Sequence, residues 1–458
     1  MIVSMIKHAN IPKFSTGYLT FITLIAAMGG LLFGFDLGII TGVIPFIQKQ
    51  FKIEGFSLGW VVAIFELGCM GGTFITAFIA DKFGRKKSLI YIAFFFIITT
   101  VGVVFSQSTF DLSLWRFLQG VGVGAASVLS PMYIAEIAPA SIRGRLVSIN
   151  QLMIILGVLL ATIVSYYFGD PTNTESWRWM FGAGLIPAIL FIGLLFFIPE
   201  SPRWLIRHNF NSKANEVLNK IGSSEFAQNE TLQIQQSLNH KGQTVSDKKL
   251  SIQHILPVLM IGFGVAIIQQ FSGSNMITAY LQIIFQKANF TIKDGLLNAV
   301  FIGIIFLVFT ILAIILVDKI GRKKLLLFGT SVMAFFLFLL AWSFNSIDIN
   351  GKLVFFFVMG FIATYSFTLA PVTWVLLSEM FPNNIRAKAL SMSSAVLWLS
   401  CFVVVLFSPY LLKINPVMNF LLFGSFNIAG FLFIWKYVSE TKGKSLEEIE
   451  FLLLNKMV

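Results

Sequence analysis

Twelve stretches of this sequence are apolar for long enough to cross a bilayer, and no other feature narrows its fold as far. They fall at roughly 18–46, 57–80, 88–106, 112–135, 146–168, 177–198, 253–286, 296–317, 324–344, 352–378, 389–411 and 416–437. A hydrocarbon core about 30 Å thick needs about 20 apolar residues in helical form, and backbone in lipid must satisfy its own hydrogen bonds. The stretches are too long and continuous to be the short alternating strands of a barrel. Of the 458 residues only 12% are charged and 57% are hydrophobic, whereas a soluble protein carries about twice that charge. The expected fold is all-α and integral to the membrane, with twelve transmembrane helices.

A net charge of +12 would suggest nucleic acid if the positions of the charges were ignored. With the N-terminus inside, 25 of the 33 Lys and Arg fall on the cytoplasmic side and 7 in outer loops, leaving Arg116 within a span. That asymmetry predicts both termini in the cytoplasm, and hence an inner (plasma) membrane protein without a nucleic-acid partner. The first stretch lacks a small-residue cleavage site and is too long for a signal peptide, so it is kept as a helix. Cys69 and Cys401 both lie in spans, and the four histidines have no metal-ligand spacing. No nucleophile–base pattern or phosphate loop is present in the sequence. Neither an enzyme nor a metal or other cofactor is expected, and a monomer in the lipid bilayer is.

The polar stretch 199–252 divides the chain. The expected organisation is a cytoplasmic N-terminus (1–17), a six-helix bundle (18–198), a cytoplasmic linker with short helices (199–252), a second bundle (253–437) and a cytoplasmic tail (438–458). The halves are related in sequence. DKFGRKK at 81–87 recurs as DKIGRKK at 318–324, and AEIAPASIRGRL at 135–146 recurs as SEMFPNNIRAKAL at 378–390. Glu136 matches Glu379 and Arg143 matches Arg386, each 243 residues apart. Two pseudo-symmetric bundles in parallel point to a substrate site near the midplane about which the halves rock, the architecture of the major facilitator transporters.

The repeated loops place an acid and several bases at helix ends, where an Asp can pair with an Arg and with a helix N-terminus. Asp81, Arg85, Asp318 and Arg322 read as a cytoplasmic gating latch, joined by Glu136, Arg143, Arg145, Glu200, Glu379 and Arg386. Lys86, Lys87, Lys323 and Lys324 read as topogenic charge.

Polar residues inside the spans carry the remaining chemistry. Asp36 lies about 18 residues into the first span, roughly 27 Å above its start, at a depth matching that of Arg116 in the fourth. A carboxylate at a helix centre costs about 2.5–3.5 kcal/mol on insertion scales, so the two are expected to pair. Protonating Asp36 would release Arg116 and so couple a proton to movement; the other reading is a permanent brace between the two helices. Glu66 is a further buried acid, either a second proton site or a neutral group bonded to a neighbour. Gln269, Gln270 and Asn275, with Gly273 breaking the helix between them, and Gln151 in the fifth span are either amides that match sugar hydroxyls or glue between helices.

GGLLFGFDLGIITG, DKFGRKK, RFLQGVGVG, PESPRWL, QQFSGSN and VDKIGRKK resemble a sugar porter of the major facilitator superfamily, over about residues 20–448. The resemblance implies proton coupling at Asp36 and Arg116, as in bacterial sugar–proton symporters, and a sugar site at Gln151, Gln269, Gln270 and Asn275. It also places Trp374, Trp398, Phe33 and Phe306 beside that site. The chain departs from the family at Val158, Ala279, Phe306, Leu397 and Cys401, where the family commonly has polar residues, and in the tail, where Pro-Glu-Thr-Lys-Gly reads SETKG. Each lost hydrogen bond to a substrate hydroxyl costs about 1–3 kcal/mol, so a deoxy sugar, a polyol or a less polar hydroxylated compound is expected to suit the site better than a hexose. Proton-linked sugar or polyol import is the leading expectation, with a facilitative uniporter or a carrier of a less polar compound as alternatives.

Overall fold

The computed structural model describes residues 14–139, 142–239, 252–381 and 386–442. Among them, twelve helices are long and apolar enough to span a membrane. Spans one to six are Thr16–Phe51, Phe56–Phe83, Arg85–Phe105, Thr109–Ile137, Arg143–Phe168 and Ser176–Leu195. Spans seven to twelve are Leu256–Ala279, Ile292–Val317, Arg322–Asn345, Gly351–Leu377, Ala389–Ile414 and Pro416–Tyr437. Between the halves lie three short helices, Pro202–Arg207, Asn211–Ile221 and Ser224–Asn239. Ser201 caps the first of them, its hydroxyl accepting from the Trp204 amide, with Pro202 opening the helix. The second buries Ala214, Val217, Leu218 and Ile221, one helical stripe.

Close packing inside the first half follows from glycine spacing. A Cβ on Gly34 of span one would lie 1.8 Å from the Ile154 carbonyl oxygen, and one on Gly157 of span five 2.2 Å from that of Leu31. Spans two and four meet the same way: Gly68 lies against Phe117, and Gly120 and Gly124 against Phe65 and Cys69. Lipid tails are as apolar as the side chains, so helices in a bilayer associate through such close backbone approach. These two seams fix the registers of spans one and four, and with them the heights of Asp36 and Arg116.

The halves touch along span two against span eleven and span five against span eight. Their bonds cluster at one end. There Lys413 Nζ lies 2.9 Å from Glu54 Oε2, and Lys293 Nζ donates to the Tyr166 carbonyl at 2.9 Å. Nearer the middle, Thr41 Oγ1 donates to the Thr278 carbonyl at 2.6 Å. A Cβ on Gly59 would lie 2.0 Å from the Leu406 carbonyl oxygen, so spans two and eleven are in backbone contact. The opposite end carries the tight turns at Gly84 and Gly321. Among the described residues, its ion pairs stay within one half or join it to the segment that follows it. Among the described residues, the side-chain bonds between the halves thus lie at one end and towards the middle.

Candidate functional site: a buried ion pair beside an amide cluster

Both carboxylate oxygens of Asp36 accept from Arg116 Nη1 at 2.8 Å, with Asp36 1% and Arg116 2% exposed. The same nitrogen donates to Gln119 Oε1 at 3.0 Å, and Gln119 Nε2 donates to Thr100 Oγ1 at 3.1 Å. Phe65 lies 4.3 Å and Phe181 5.4 Å from the guanidinium carbon, giving the cation two aromatic faces. The two charges are thus fully withdrawn from solvent and held by one another. Breaking such a pair by removing one partner costs about 3–5 kcal/mol, whereas neutralising both costs much less. Protonation of Asp36 alone would leave Arg116 a buried cation without its counter-charge, which is what would drive the guanidinium to move.

The amides come together at the break in span seven. Its helix ends at Phe271 and restarts at Ser274, and Gly273 between them has φ +91°, which a side chain would oppose. Gln269 Nε2 donates to the Tyr365 hydroxyl at 3.2 Å, and Gln270 Nε2 to Gln269 Oε1 at 2.6 Å. Asn275 Nδ2 donates to Gln270 Oε1 and, at 3.1 Å, to Cys401 Sγ. The Cys401 thiol also faces the Glu66 carboxyl across the junction of the halves. Phe306 packs against Tyr365 with ring centres 6.1 Å apart, and Phe33 against Trp398 at 6.0 Å, the latter pair also joining the two halves. Trp398 is 7% exposed and Trp374 39%. Gln151 is half-buried on span five.

The residues read from sequence as a cytoplasmic latch assemble with different partners from those expected. Glu136 is taken by Arg85 Nη2 at 2.8 Å and by the Ser201 hydroxyl at 2.5 Å, not by the following arginines. Arg143 instead donates to the Ala138 carbonyl at 3.4 Å, and Arg143 and Arg145 are exposed. The reason is direction: the end of span four faces the start of span three, while Arg143 and Arg145 open span five on its exposed side. Asp81 lies 3.1 Å from Arg207 and 3.5 Å from Arg85. In the second half Arg322 Nη2 donates to Glu379 at 2.9 Å and the Thr441 hydroxyl does so at 2.6 Å. The side chains of Asp318 and Arg386 lie outside those described.

Glu200 accepts from the Arg85 and Lys86 amides at the start of span three, and Glu440 accepts from those of Arg322 and Lys323 at the start of span nine. A Cβ on Gly84 would lie 2.3 Å from Glu200 Oε2, and one on Gly321 2.7 Å from Glu440 Oε2. Burial pushes the Glu200 carboxyl above the usual range, against the pull of these amides and of Arg85. Ser201, Glu440 and Thr441 were not singled out from sequence, yet Glu-Ser at 200–201 and Glu-Thr at 440–441 are in register. Gln119 and Tyr365 were also missed; Gln119 stands three residues after Arg116, a spacing that places two side chains together on a helix.

The sequence matches the family described as Sugar (and other) transporter over residues 22–453. It is 37% identical over 476 residues to the D-xylose-proton symporter of Escherichia coli K12, covering 96% of each chain. It is 34% identical over 453 residues to the arabinose-proton symporter of Bacillus subtilis, covering 96% of this chain and 97% of that one. Its fold matches the inward-open conformation of the Escherichia coli xylose transporter with a TM-score of 0.84 at 36% identity, covering 95% of this chain and 100% of that one. The ordered motifs, the duplicated six-helix halves and these similarities agree: the chain belongs to the sugar transporter family of the major facilitator superfamily and is a transporter, not an enzyme.

Proposed function

We propose that the protein imports a sugar or sugar-like polyol together with a proton, by alternating access. The observation that carries this reading is the Asp36–Arg116 pair, in which both oxygens of a titratable carboxylate withdrawn from solvent meet one guanidinium nitrogen, beside the amides of span seven. The names of the two relatives, both proton symporters of pentoses, support it. The distribution of Lys and Arg supports both termini in the cytoplasm, which makes the end carrying Glu54 and Lys413 the outer gate. The carrier acts as a monomer in the inner membrane.

Gln151, Gln269, Gln270, Asn275, Trp374 and Trp398 form the substrate site, bounded by Phe33 and Phe306. Cys401 and Phe306 present a thiol and a ring where the family commonly has amides, so the substrate has fewer hydroxyls to satisfy than a hexose. A deoxy sugar or a polyol fits that description. At the cytoplasmic end the Arg85–Glu136–Ser201 and Arg322–Glu379–Thr441 clusters keep each half rigid while it rocks. Asp81, half-exposed and paired with Arg207 and Arg85, is the latch member that would exchange these partners for the other half when that end closes.

The decisive experiment is transport into proteoliposomes containing a pH dye, screening pentoses, hexoses, deoxy sugars and polyols. Acidification on addition of one of them identifies the substrate and the coupling together; uptake without acidification overturns the coupling. The Gln119 contact on Arg116 would equally suit a fixed brace in a uniporter. Asp36→Asn separates the two: coupling predicts lost uphill uptake with exchange retained, and a brace predicts equal loss of both.

A further inference from the structure

Neither the Asp36–Arg116 pair nor the amide cluster accounts for Glu66. It is 6% exposed, and its Oε2 has no hydrogen-bond partner among the described residues. The titratable and charged groups facing it are Asp36 from span one, Arg116 from span four, Cys69 from its own span, Cys401 from span eleven and Tyr280 beyond span seven. Arg116 is the one cation of that set, and it is already committed to both oxygens of Asp36. One guanidinium therefore faces two acids, and a dry site holds the second acid most cheaply with a proton on it.

The position of Glu66 says when that proton arrives. Gly59, in backbone contact with Leu406, lies seven residues from Glu66 on the same helix, which is two turns and so the same face. Leu406 is likewise on the span that supplies Cys401. Glu66 thus sits directly beneath the closed outer gate and becomes accessible to outside water when spans two and eleven part. The Cys401 thiol accepts from Asn275 and faces Glu66, so polar groups lie in line from Glu66 to the substrate amides.

We propose that Glu66 is a second proton-binding residue, the proton of the outer gate rather than of the cargo. With the gate open it is a carboxylate in outside water. As spans two and eleven close, an O–H bond forms with a proton from that water, and it breaks again when they reopen, so no net proton crosses the membrane through Glu66. Acid outside then favours closure whatever the substrate gradient, and Cys401 links the state of Glu66 to Asn275. The inference rests on the alternating-access reading but not on Asp36 being the coupling acid.

The test reads gate opening without any substrate. Val62, buried in span two at the gate, is replaced by Cys, and its labelling by a bulky maleimide is followed in purified protein over roughly the pH range 5 to 9. Labelling of the parent chain is subtracted, and each rate is divided by that of the same cysteine in an E66Q background, which cancels the pH dependence of the thiol. The ratio should fall on acidification, by up to about tenfold per pH unit for one proton, and a ratio constant with pH overturns the proposal. Should E66Q not yield monodisperse protein, E66D serves in its place: a midpoint displaced from that of the parent supports the proposal, and an unchanged profile overturns it. Uptake with a silent pH dye in the transport assay would defeat the proton-coupled reading and leave this result standing.

Discussion

Arg116 meets both oxygens of Asp36 through one nitrogen, Nη1, and leaves its buried Nε with no hydrogen-bond partner among the described residues. The guanidinium is therefore held by the acid and by Gln119 rather than by a full set of bonds. Arg116→Gln should destabilise the protein by about 3–5 kcal/mol, because it strands a buried carboxylate. The double variant Asp36→Asn/Arg116→Gln should recover most of that loss. Thermal unfolding of the detergent-purified proteins checks this, and simple additivity would show that the pair is not coupled.

On the proposed orientation, the backbone contact at Gly59 belongs to the outer gate, and a side chain there would oppose closure. Gly59→Ala places a methyl 2.0 Å from the Leu406 carbonyl oxygen, backbone that cannot move aside cheaply. The variant should remain open at the outer end and lose uptake while folding normally. Faster labelling of a cysteine at Val62, set against that in the parent, is the measurement.

Gln270 joins Gln269 to Asn275 and so orients both. Gln270→Ala should cost about 1–3 kcal/mol of substrate recognition, or about 5- to 150-fold in half-saturation. The number of protons moved per substrate should not change, because the ion pair lies elsewhere. Initial uptake rates with the internal pH dye report both quantities.

Glu200 gives a pH dependence of opposite sign to the usual carboxylate. Its folded value is raised above the ordinary 4.5 by burial, so the native state holds the proton more tightly than the unfolded chain. Stability attributable to this group is greatest in acid and declines as pH rises through the interval between the two values. The stability of the parent protein relative to Glu200→Gln should therefore decrease from acid towards neutral pH. Glu200→Ala, which leaves the Arg85 and Lys86 amides uncapped, should cost about 0.5–2 kcal/mol. Unfolding curves across that range test both.

The sequence made the membrane-embedded chemistry legible for a simple reason: charge inside lipid is rare, and the depths of Asp36 and Arg116 could be counted along their helices. Gly273 between Gln270 and Asn275 likewise announced the break in span seven. The contacts of the expected latch were less legible. Glu136 was grouped with Arg143 and Arg145 by proximity along the chain, yet its partners are set by which way span four points on arrival. Glu440 and Thr441 act largely on backbone amides and on a distant carboxylate, and no local pattern marks such a role. Tyr365 lies in an apolar span where a phenol reads as packing until its partner, Gln269, is seen.

The Glu-Ser at 200–201 and the Glu-Thr at 440–441 lie 240 residues apart and clasp equivalent turns in the two halves. What was copied when this chain doubled was therefore not a bare bundle. Each inherited cassette ends in its own clasp, an acid that closes the turn and a hydroxyl that seals the neighbouring acid. Fusion of the cassettes turned the first clasp into the opening of a connector and left the second in the tail. The connector and the tail, so different in length and composition, open on the same clasp.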